Sequence, residues 1–341
     1  MLGTTWFMLW GVLWAVYFTL DGYNLGLGTM RPLVAGNEQE NKVVYQAIGP
    51  FWDGNQVWLI TAGGVTFAAF PGTYAVMFSS LYTALMLLLF TLILRGVAYE
   101  FRKNVESKAS RKLWDVVQWA GSFLPCLLLG VAFANIFKGV PIDADGVFQG
   151  NLLTLLNPYG LAGGILFVLM FAVHGMLWLC IKSSGEINAR AHAWAVRLWP
   201  VLTGWVVLFL VFSFFATKLF DNYFGNPFLF AVLLLAVAGL FAMRAFLAAG
   251  NEWKAFFASM LFILTTALFG VIGLFPALLP SSLSPAWSMT IENSSSSPLT
   301  LKIMLVVTLI FVPLIILYQF FVHKLLSHKV GVEDVAYEEG H

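Results

Sequence analysis

Long apolar runs separated by short polar stretches dominate the pattern of this chain. A helix that crosses a bilayer needs about 20 mostly apolar residues, because the hydrocarbon core is about 30 Å thick and each residue rises about 1.5 Å. Nine runs meet this requirement, at residues 5–25, 53–70, 74–99, 114–137, 161–182, 194–216, 227–249, 254–279 and 301–323. The pattern therefore predicts an all-α integral membrane protein with nine transmembrane helices.

The positive charges predict how these helices are oriented, because Lys and Arg in short loops stay on the cytoplasmic side of the membrane. Most of the 18 Lys and Arg fall on the side that the chain reaches after the first helix. Only Lys138, Lys218 and Lys302 fall on the opposite side. We therefore expect the N-terminus outside and the C-terminus in the cytoplasm.

The lengths of the runs indicate an internal organisation. Helices one to four and five to eight have similar lengths, which favours two four-helix bundles plus one additional helix. The predicted units are residues 1–137, residues 161–279, a ninth helix at 301–323 and a cytoplasmic tail at 324–341. The loops are short, so no extramembrane domain is expected to hold a catalytic site.

Composition excludes several classes of function. Of all residues 60% are hydrophobic and only 10% are charged, whereas about 25% are charged in soluble proteins. This composition excludes a soluble protein. A net charge of +1 leaves no basic surface for nucleic acid. Cys126 and Cys180 lie in apolar runs without CxxC spacing, and no phosphate-binding loop or Ser/His/Asp set is present. We expect no catalytic residue and no metal site in this chain alone.

Two acids at the predicted membrane boundary are the main candidates for function, because a charge in the bilayer centre costs about 2.5–3.5 kcal/mol. Asp21 lies near the end of the first predicted helix, and Asp53 begins the second. They could face each other and pass a cytoplasmic proton onward, with Gln56 on the same helix face as Asp53. Alternatively, Asp53 is the N-cap of its helix and Asp21 only marks the boundary.

Three charged residues lie at the inner end of the third helix. Arg95 and Arg102 are expected to extend towards the lipid headgroups, whereas Glu100 lies among cations that favour an ion pair. A bound haem would need an axial ligand inside a helix, and only His174 lies well within a run. A lone buried histidine is more often a hydrogen-bonded core residue, so the chain alone is not expected to bind haem.

Several motifs carry a resemblance to a known family. They are GPFWDGNQVWLITAGG at residues 49–64, LRGVAYEFR at 94–102, GSFLP at 121–125 and LNPYGL at 156–161. These segments resemble subunit II of the cytochrome bd family of quinol oxidases, and the first is specific enough to carry the identification alone. Where many members have a second acid, in the Asp-Gly-aromatic-Asp motif, this chain has Asn24.

The resemblance implies a nine-helix subunit in the bacterial cytoplasmic (inner) membrane, paired with a similar subunit I in a heterodimer. Two b-type haems, haem d and the quinol site would belong to subunit I, and the complex would use quinol and O2. Whether a small accessory subunit attaches, and whether a structural quinone or a membrane lipid occupies this chain, stays open.

The resemblance also implies roles for particular residues. A proton pathway would use Asp21, Asp53, Gln56 and Glu100. The residues at a partner interface or in helix packing would be Trp52, Trp58, Gly63 and Gly64, since glycines let backbones approach closely. The alternative function is a secondary transporter that binds a cation through membrane carboxylates at a broken helix.

Overall fold

The computed structural model describes residues 1–334 and is built mainly of α-helices. The helices are α1 (Leu2–Val34), α2 (Glu38–Ile48), α3 (Trp52–Ala69), α4 (Pro71–Ser80), α5 (Tyr82–Phe101), α6 (Lys108–Lys138), α7 (Leu152–Leu155), α8 (Pro158–Lys182), α9 (Gly185–Ala216), α10 (Asp221–Gly225), α11 (Phe230–Ala248), α12 (Glu252–Leu274), α13 (Ile291–Ser294) and α14 (Pro298–Leu325). Single 3-10 turns occur at Arg102–Asn104, Pro227–Leu229 and Pro285–Trp287. Two short antiparallel strands complete the fold, β1 (Ala277–Leu279) and β2 (Met289–Thr290).

Within residues 1–334, eight helices are long and apolar enough to cross a membrane, namely α1, α5, α6, α8, α9, α11, α12 and α14. The prediction of an all-α, multi-pass membrane protein is confirmed. The second predicted segment forms α3, an 18-residue helix whose first turns carry the polar side chains Asp53, Asn55 and Gln56. The count of nine crossings and the orientation of the termini stay predictions.

Helix α1 is longer than predicted. It was expected to end near residue 25, but it continues through the glycine-rich motif to Val34. A Cβ on Gly26 would lie 1.6 Å from the carbonyl oxygen of Phe171 in α8, and one on Gly28 would lie 2.2 Å from Ser122 Oγ in α6. These glycines therefore allow close helix packing, which stabilises a segment that has a low intrinsic helix propensity.

Helix α1 lies at the centre of the molecule and packs against α3, α6, α8 and α12. Helices α6 and α8 also approach closely, since a Cβ on Gly130 would lie 2.3 Å from the carbonyl oxygen of Gly163. The predicted bundles 1–137 and 161–279 thus share an extensive contact surface along α1, α6 and α8. Their division into two units stays a prediction.

Helix α14 is the most exposed of the long helices, and Leu301 is its only buried residue within the described chain. After it, residues 326–330 fold back onto the end of α8: Lys182 Nζ donates to the carbonyl oxygen of His328 (2.9 Å), and Val330 N donates to that of Lys182 (2.8 Å). The start of the predicted 324–341 tail is therefore attached to the bundle. Residues 335–341 lie outside the described part of the chain.

Candidate functional site

Asp21 and Arg95 form an ion pair in the interior of the helical bundle. Both side chains have 0% exposure, and Arg95 donates from Nη1 to Asp21 Oδ2 (3.2 Å) and from Nη2 to Asp21 Oδ1 (3.3 Å). The pair joins α1 to α5, which is closely packed on α6 at Gly121, where a Cβ would lie 2.7 Å from Arg95 Cβ. A charge in such a place is tolerated because its counter-ion and hydrogen bonds compensate for the loss of water.

Polar groups surround this ion pair. Asn24 Nδ2 donates a long hydrogen bond to Asp21 Oδ1 (3.4 Å), and the Arg95 guanidinium lies 5.7 Å from the ring centre of Tyr99. Three buried atoms, Tyr17 OH, Asn24 Oδ1 and Arg95 Nε, have no hydrogen-bond partner among residues 1–334. Such a cluster of buried donors and acceptors can hold water molecules, which commonly occupy polar internal sites.

A second group of charges lies at the end of the bundle that is predicted to be cytoplasmic. Asp115 of α6 accepts from Arg102 Nε (2.6 Å) and Tyr45 OH (3.1 Å), and pairs with Arg31 Nη1 (3.0 Å). Arg102 also binds Glu38 through both terminal nitrogens (3.1 and 2.9 Å). Burial raises the pKa of the Tyr45 phenol well above its ordinary value, so this hydroxyl stays a donor.

Gln118 connects the two groups. Its Oε1 accepts from Arg31 Nε (2.8 Å), and its Nε2 donates to Ser122 Oγ (3.0 Å) and Tyr99 OH (3.3 Å). Tyr99 in turn lies beside Arg95. A continuous polar network therefore runs from Glu38, whose side chain is 40% exposed, to the buried ion pair.

This network corrects two sequence-based interpretations. Arg95 and Arg102 were expected to extend towards lipid headgroups, but both are buried and paired with carboxylates. Asp21 was expected near the end of its helix, but α1 continues beyond it to Val34. The sequence contained a signal for the pairing of Arg95, because this residue lies inside the predicted segment 74–99 and a buried arginine requires a counter-ion. Arg31 was missed because α1 was predicted to end before it.

Asp53 lies in a different environment from Asp21. It is exposed in the first turn of α3, and its carboxylate makes no hydrogen bond or ion pair within residues 1–334. The N-cap of α3 is Phe51, so the N-cap interpretation of Asp53 is wrong, although its charge lies close to the positive helix end. Gln56, one turn further on, is half-buried, and its Nε2 has no partner in the described chain.

Helix α3 is joined to α1 by Asn55 and not by an acid. Asn55 Nδ2 donates to the carbonyl oxygen of Leu20 (2.8 Å) and to Tyr23 OH (2.8 Å). The sequence had suggested that Asp21 and Asp53 could face each other. The structure does not bring the two acids together. Glu100 is also separate from the buried network: it is exposed and pairs with Lys103 at 2.7 Å.

The aromatic and glycine positions of α3 differ in their surroundings. Trp52 stacks on Tyr99 with ring centres 5.5 Å apart, and Trp58 is buried and donates from Nε1 to Gln319 Oε1 of α14 (2.9 Å). No atom lies within 4 Å of a Cβ built on Gly64, and the nearest to Gly63 is Phe78 Cζ at 3.9 Å. The two tryptophans therefore pack within the chain, whereas Gly64 faces open space and Gly63 lies beside Phe78.

His174, which is buried, and His323, which is partly buried, do not fit haem ligation. His174 Nδ1 bonds Ser259 Oγ (2.6 Å), its Nε2 bonds the carbonyl oxygen of Thr19 (3.0 Å), and its ring stacks on Phe256. His323 bonds Tyr23 OH through Nε2 (3.0 Å) and the carbonyl oxygen of Gln319 through Nδ1 (2.8 Å). Both nitrogens of each ring are engaged, and His174 is the hydrogen-bonded core residue that was expected.

Comparisons with known proteins agree with one another. Residues 2–326 match the family model for cytochrome bd terminal oxidase subunit II. The chain is 34% identical to cytochrome bd ubiquinol oxidase subunit 2 of Bacillus subtilis (strain 168), over 95% of this chain and 96% of the relative. It is 33% identical to cytochrome bd-I ubiquinol oxidase subunit 2 of Escherichia coli (strain K12), over 97% of this chain and 95% of the relative. Its fold matches a chain of the bd oxidase structure from Geobacillus thermodenitrificans, with a TM-score of 0.77 and 16% identity. The match covers 95% of this chain and 98% of that chain.

Proposed function

The chain belongs to the family of subunit II of cytochrome bd terminal oxidases, and on that premise we propose that it supports a haem-bearing subunit I and supplies it with cytoplasmic protons. Family membership makes it a multi-pass protein of the bacterial inner membrane and part of an oxidoreductase complex. Its relatives are named ubiquinol oxidases, so the proposed complex passes electrons from quinol to O2 and forms water. Protons for the water would come from the cytoplasm.

The redox chemistry is assigned to subunit I. The haems supply electron transfer and oxygen reduction when they are bound, and the nitrogens of His174 and His323 are already engaged in hydrogen bonds within this chain. No step of that chemistry is therefore attributed to residues of subunit II. What this chain contributes is a rigid surface and polar side chains at the side of its partner.

The observation that carries the proton-uptake proposal is the position of Asp53. It is an exposed carboxylate, without a partner in the described chain, at the predicted cytoplasmic end of a helix whose outer face is open at Gly64. If subunit I packs on this face, Asp53 lies at the joint surface, where an acid can take a proton from bulk water. Gln56 follows one turn later with an unpaired Nε2 that can orient a water molecule.

Asp21 and Glu100 have more limited roles in this proposal. Asp21 accepts two hydrogen bonds from Arg95, and these hold α1 against α5. It can still order water through the unpaired Tyr17 and Asn24 atoms. Glu100, exposed beside Lys103, is placed to collect protons at the surface only.

The transporter alternative lacks its two structural requirements at Asp21. Helix α1 is continuous through the glycine-rich motif, so there is no broken helix at Asp21. The Asp21 carboxylate is neutralised by Arg95 and cannot also supply the charge for a bound cation. These contacts favour a structural role for this acid.

Affinity purification of the tagged chain from the membrane tests the assignment. We expect it to bring along a haem-bearing membrane partner and the red-region absorbance of haem d, together with quinol-dependent O2 consumption. A preparation that contains only this chain and no haem would overturn the proposal. The role of Asp53 needs a separate measurement of turnover, because the subunit could assemble correctly without conducting protons.

A further inference from the structure

Helix α14 leaves a lateral groove of about 540 Å³ between itself and helices α1 and α12. The walls of this groove are mainly apolar and aromatic, and include Leu20, Phe256, Phe257, Met260, Ile316 and Phe320. Phe257, Ile316 and Phe320 are exposed, so the groove opens sideways to the surrounding membrane. An elongated apolar molecule could therefore enter it from the bilayer.

Helix α14 is fastened to the bundle by hydrogen bonds near its start and beside the groove. At its start, Trp6 Nε1 donates to the carbonyl oxygen of Leu301 (2.9 Å). Near its other end, Gln319 and His323 bond Trp58 and Tyr23. Within the described chain Leu301 is the one buried residue of α14, and Met304, Leu305 and Val312 are only partly buried against the core.

The polar atoms deep in the groove are already satisfied. Tyr23 OH accepts from Asn55 Nδ2 (2.8 Å) and bonds His323 Nε2 (3.0 Å). Gln319 accepts from Trp58 and donates from Nε2 to the carbonyl oxygen of Gly54 (3.1 Å). An occupant with polar groups at this depth, such as a quinone ring with two carbonyls, would find no free donor among these side chains, so an apolar chain is favoured here.

The rim of the groove, in contrast to its apolar interior, carries a charged side chain. Lys324 lies on the groove and is exposed, and its Nζ makes no hydrogen bond or ion pair with the rest of the described chain. Trp253, 42% exposed, lies across from it at the start of α12. A free cation beside an exposed indole is the arrangement that membrane proteins present at the level of the lipid headgroups.

We propose that the groove holds an acyl chain of an anionic phospholipid whose phosphate is bound by Lys324. On α14 the lining runs from Ile316 to Lys324, a distance of about 12 Å at about 1.5 Å per residue. This is enough for part of one acyl chain next to the headgroup. The bound lipid fills the space that α14 leaves open and joins this helix to α1 and α12.

Lipid analysis of the purified oxidase complex tests the charged part of the site. The wild-type complex, washed in detergent, is expected to retain one anionic phospholipid at this site, observed by native mass spectrometry and by extraction. Lys324→Gln should lower its affinity about fivefold, because one Lys near a lipid surface contributes about 1 kcal/mol. Lys302→Gln is the matched control, since Lys302 is exposed near the start of the same helix and its replacement should have no effect.

A second pair of variants tests the apolar part without changing charge. Met260→Trp should fill the groove and expel the lipid, whereas Leu261→Trp, on the neighbouring exposed position of α12 that does not line the groove, should leave it bound. Lipid retention at the wild-type level in both Lys324→Gln and Met260→Trp would overturn the proposal. So would an isoprenoid quinone that is released by Met260→Trp but not by Lys324→Gln. The haem-bearing partner is measured in the same samples, so a failure of the lipid site is distinguishable from a failure of complex assembly.

Discussion

Asp21 of α1 and Arg95 of α5 bind each other through two parallel hydrogen bonds in the interior of the bundle, and neither side chain is exposed. The two residues are 74 positions apart in the chain. Because isolated charges at this depth are costly, each residue makes the burial of the other tolerable. The pair thus connects the glycine-rich middle of α1 to the helix that leads to the polar network of Asp115.

Breaking this pair should be strongly destabilising. Arg95→Gln leaves the Asp21 carboxylate buried without its cation, which typically costs about 3–5 kcal/mol. We expect a much lower yield and a lower melting temperature of the purified complex. The double variant Asp21→Asn/Arg95→Gln should recover part of the loss, because no uncompensated charge remains.

Glu100→Gln is the control for the ion pair. It removes a pair with Lys103 in which both side chains are more than half exposed, so the expected effect is below about 1 kcal/mol. If Arg95→Gln melts at the temperature of the Glu100→Gln complex, the buried pair does not hold α1 and α5 together.

Replacing Gly26 should force two central helices apart. In Gly26→Ala the new Cβ meets the backbone carbonyl oxygen of Phe171, which a change of rotamer cannot move. Overpacking typically costs about 1–3 kcal/mol, and contact with backbone favours the upper end. Gly204→Ala, a glycine of α9 with no atom within 4 Å, should be neutral or slightly stabilising. Equal melting temperatures for the two variants would contradict the close packing of α1 on α8.

Stability at high pH should depend on Tyr45. Burial raises the pKa of this phenol above its ordinary value near 10, so the folded chain keeps a proton that the unfolded chain releases. The stabilisation is complete below about pH 10 and is lost as the pH rises further. Melting temperatures measured from pH 7 to pH 11 should therefore fall less steeply in Tyr45→Phe than in the wild type. The same slope in both would show that Tyr45 ionises freely in the fold.

The sequence predicted the class of this protein, because the class follows from which residues are apolar. It did not predict that Arg95 is the partner of Asp21. Helix periodicity describes one segment at a time, and this contact depends on how α1, α5 and α6 pack together. The motif at residues 49–64 led to the family, but not to the different environments of Asp53 and Trp58 on the same helix.

The end of α1 also depends on packing between helices and not on the local sequence alone. Gly22, Gly26 and Gly28 lower the helix propensity locally, which favours a helix that stops near residue 25. In the folded chain these residues contact α8 and α6, and packing outweighs propensity. Arg31 is thereby held inside the helix, where it reaches Asp115 and Gln118.

The open face of α3 should be where the partner subunit binds. Gly64→Leu places a bulky side chain on this face and is expected to reduce recovery of the haem-bearing partner by at least about tenfold, since a clash in a packed interface costs more than about 1.4 kcal/mol. Gly204→Leu is the matched control, because Gly204 is also a helical glycine with no atom within 4 Å. Equal recovery of the partner with both variants would place the interface elsewhere.

Asp53 should be required for turnover and not for assembly. Asp53→Asn removes the exposed acid at the start of α3 but changes no hydrogen bond of the described chain, so all haems should be retained. If Asp53 passes protons to the partner, kcat for quinol oxidation should fall about tenfold or more while KM for quinol stays the same. Asp53→Glu should restore most of the activity, because it keeps a carboxylate. Glu106→Gln, which neutralises another exposed acid in the loop before α6, should leave kcat unchanged. A normal kcat in Asp53→Asn, with haem content unchanged, would show that this subunit only supports its partner.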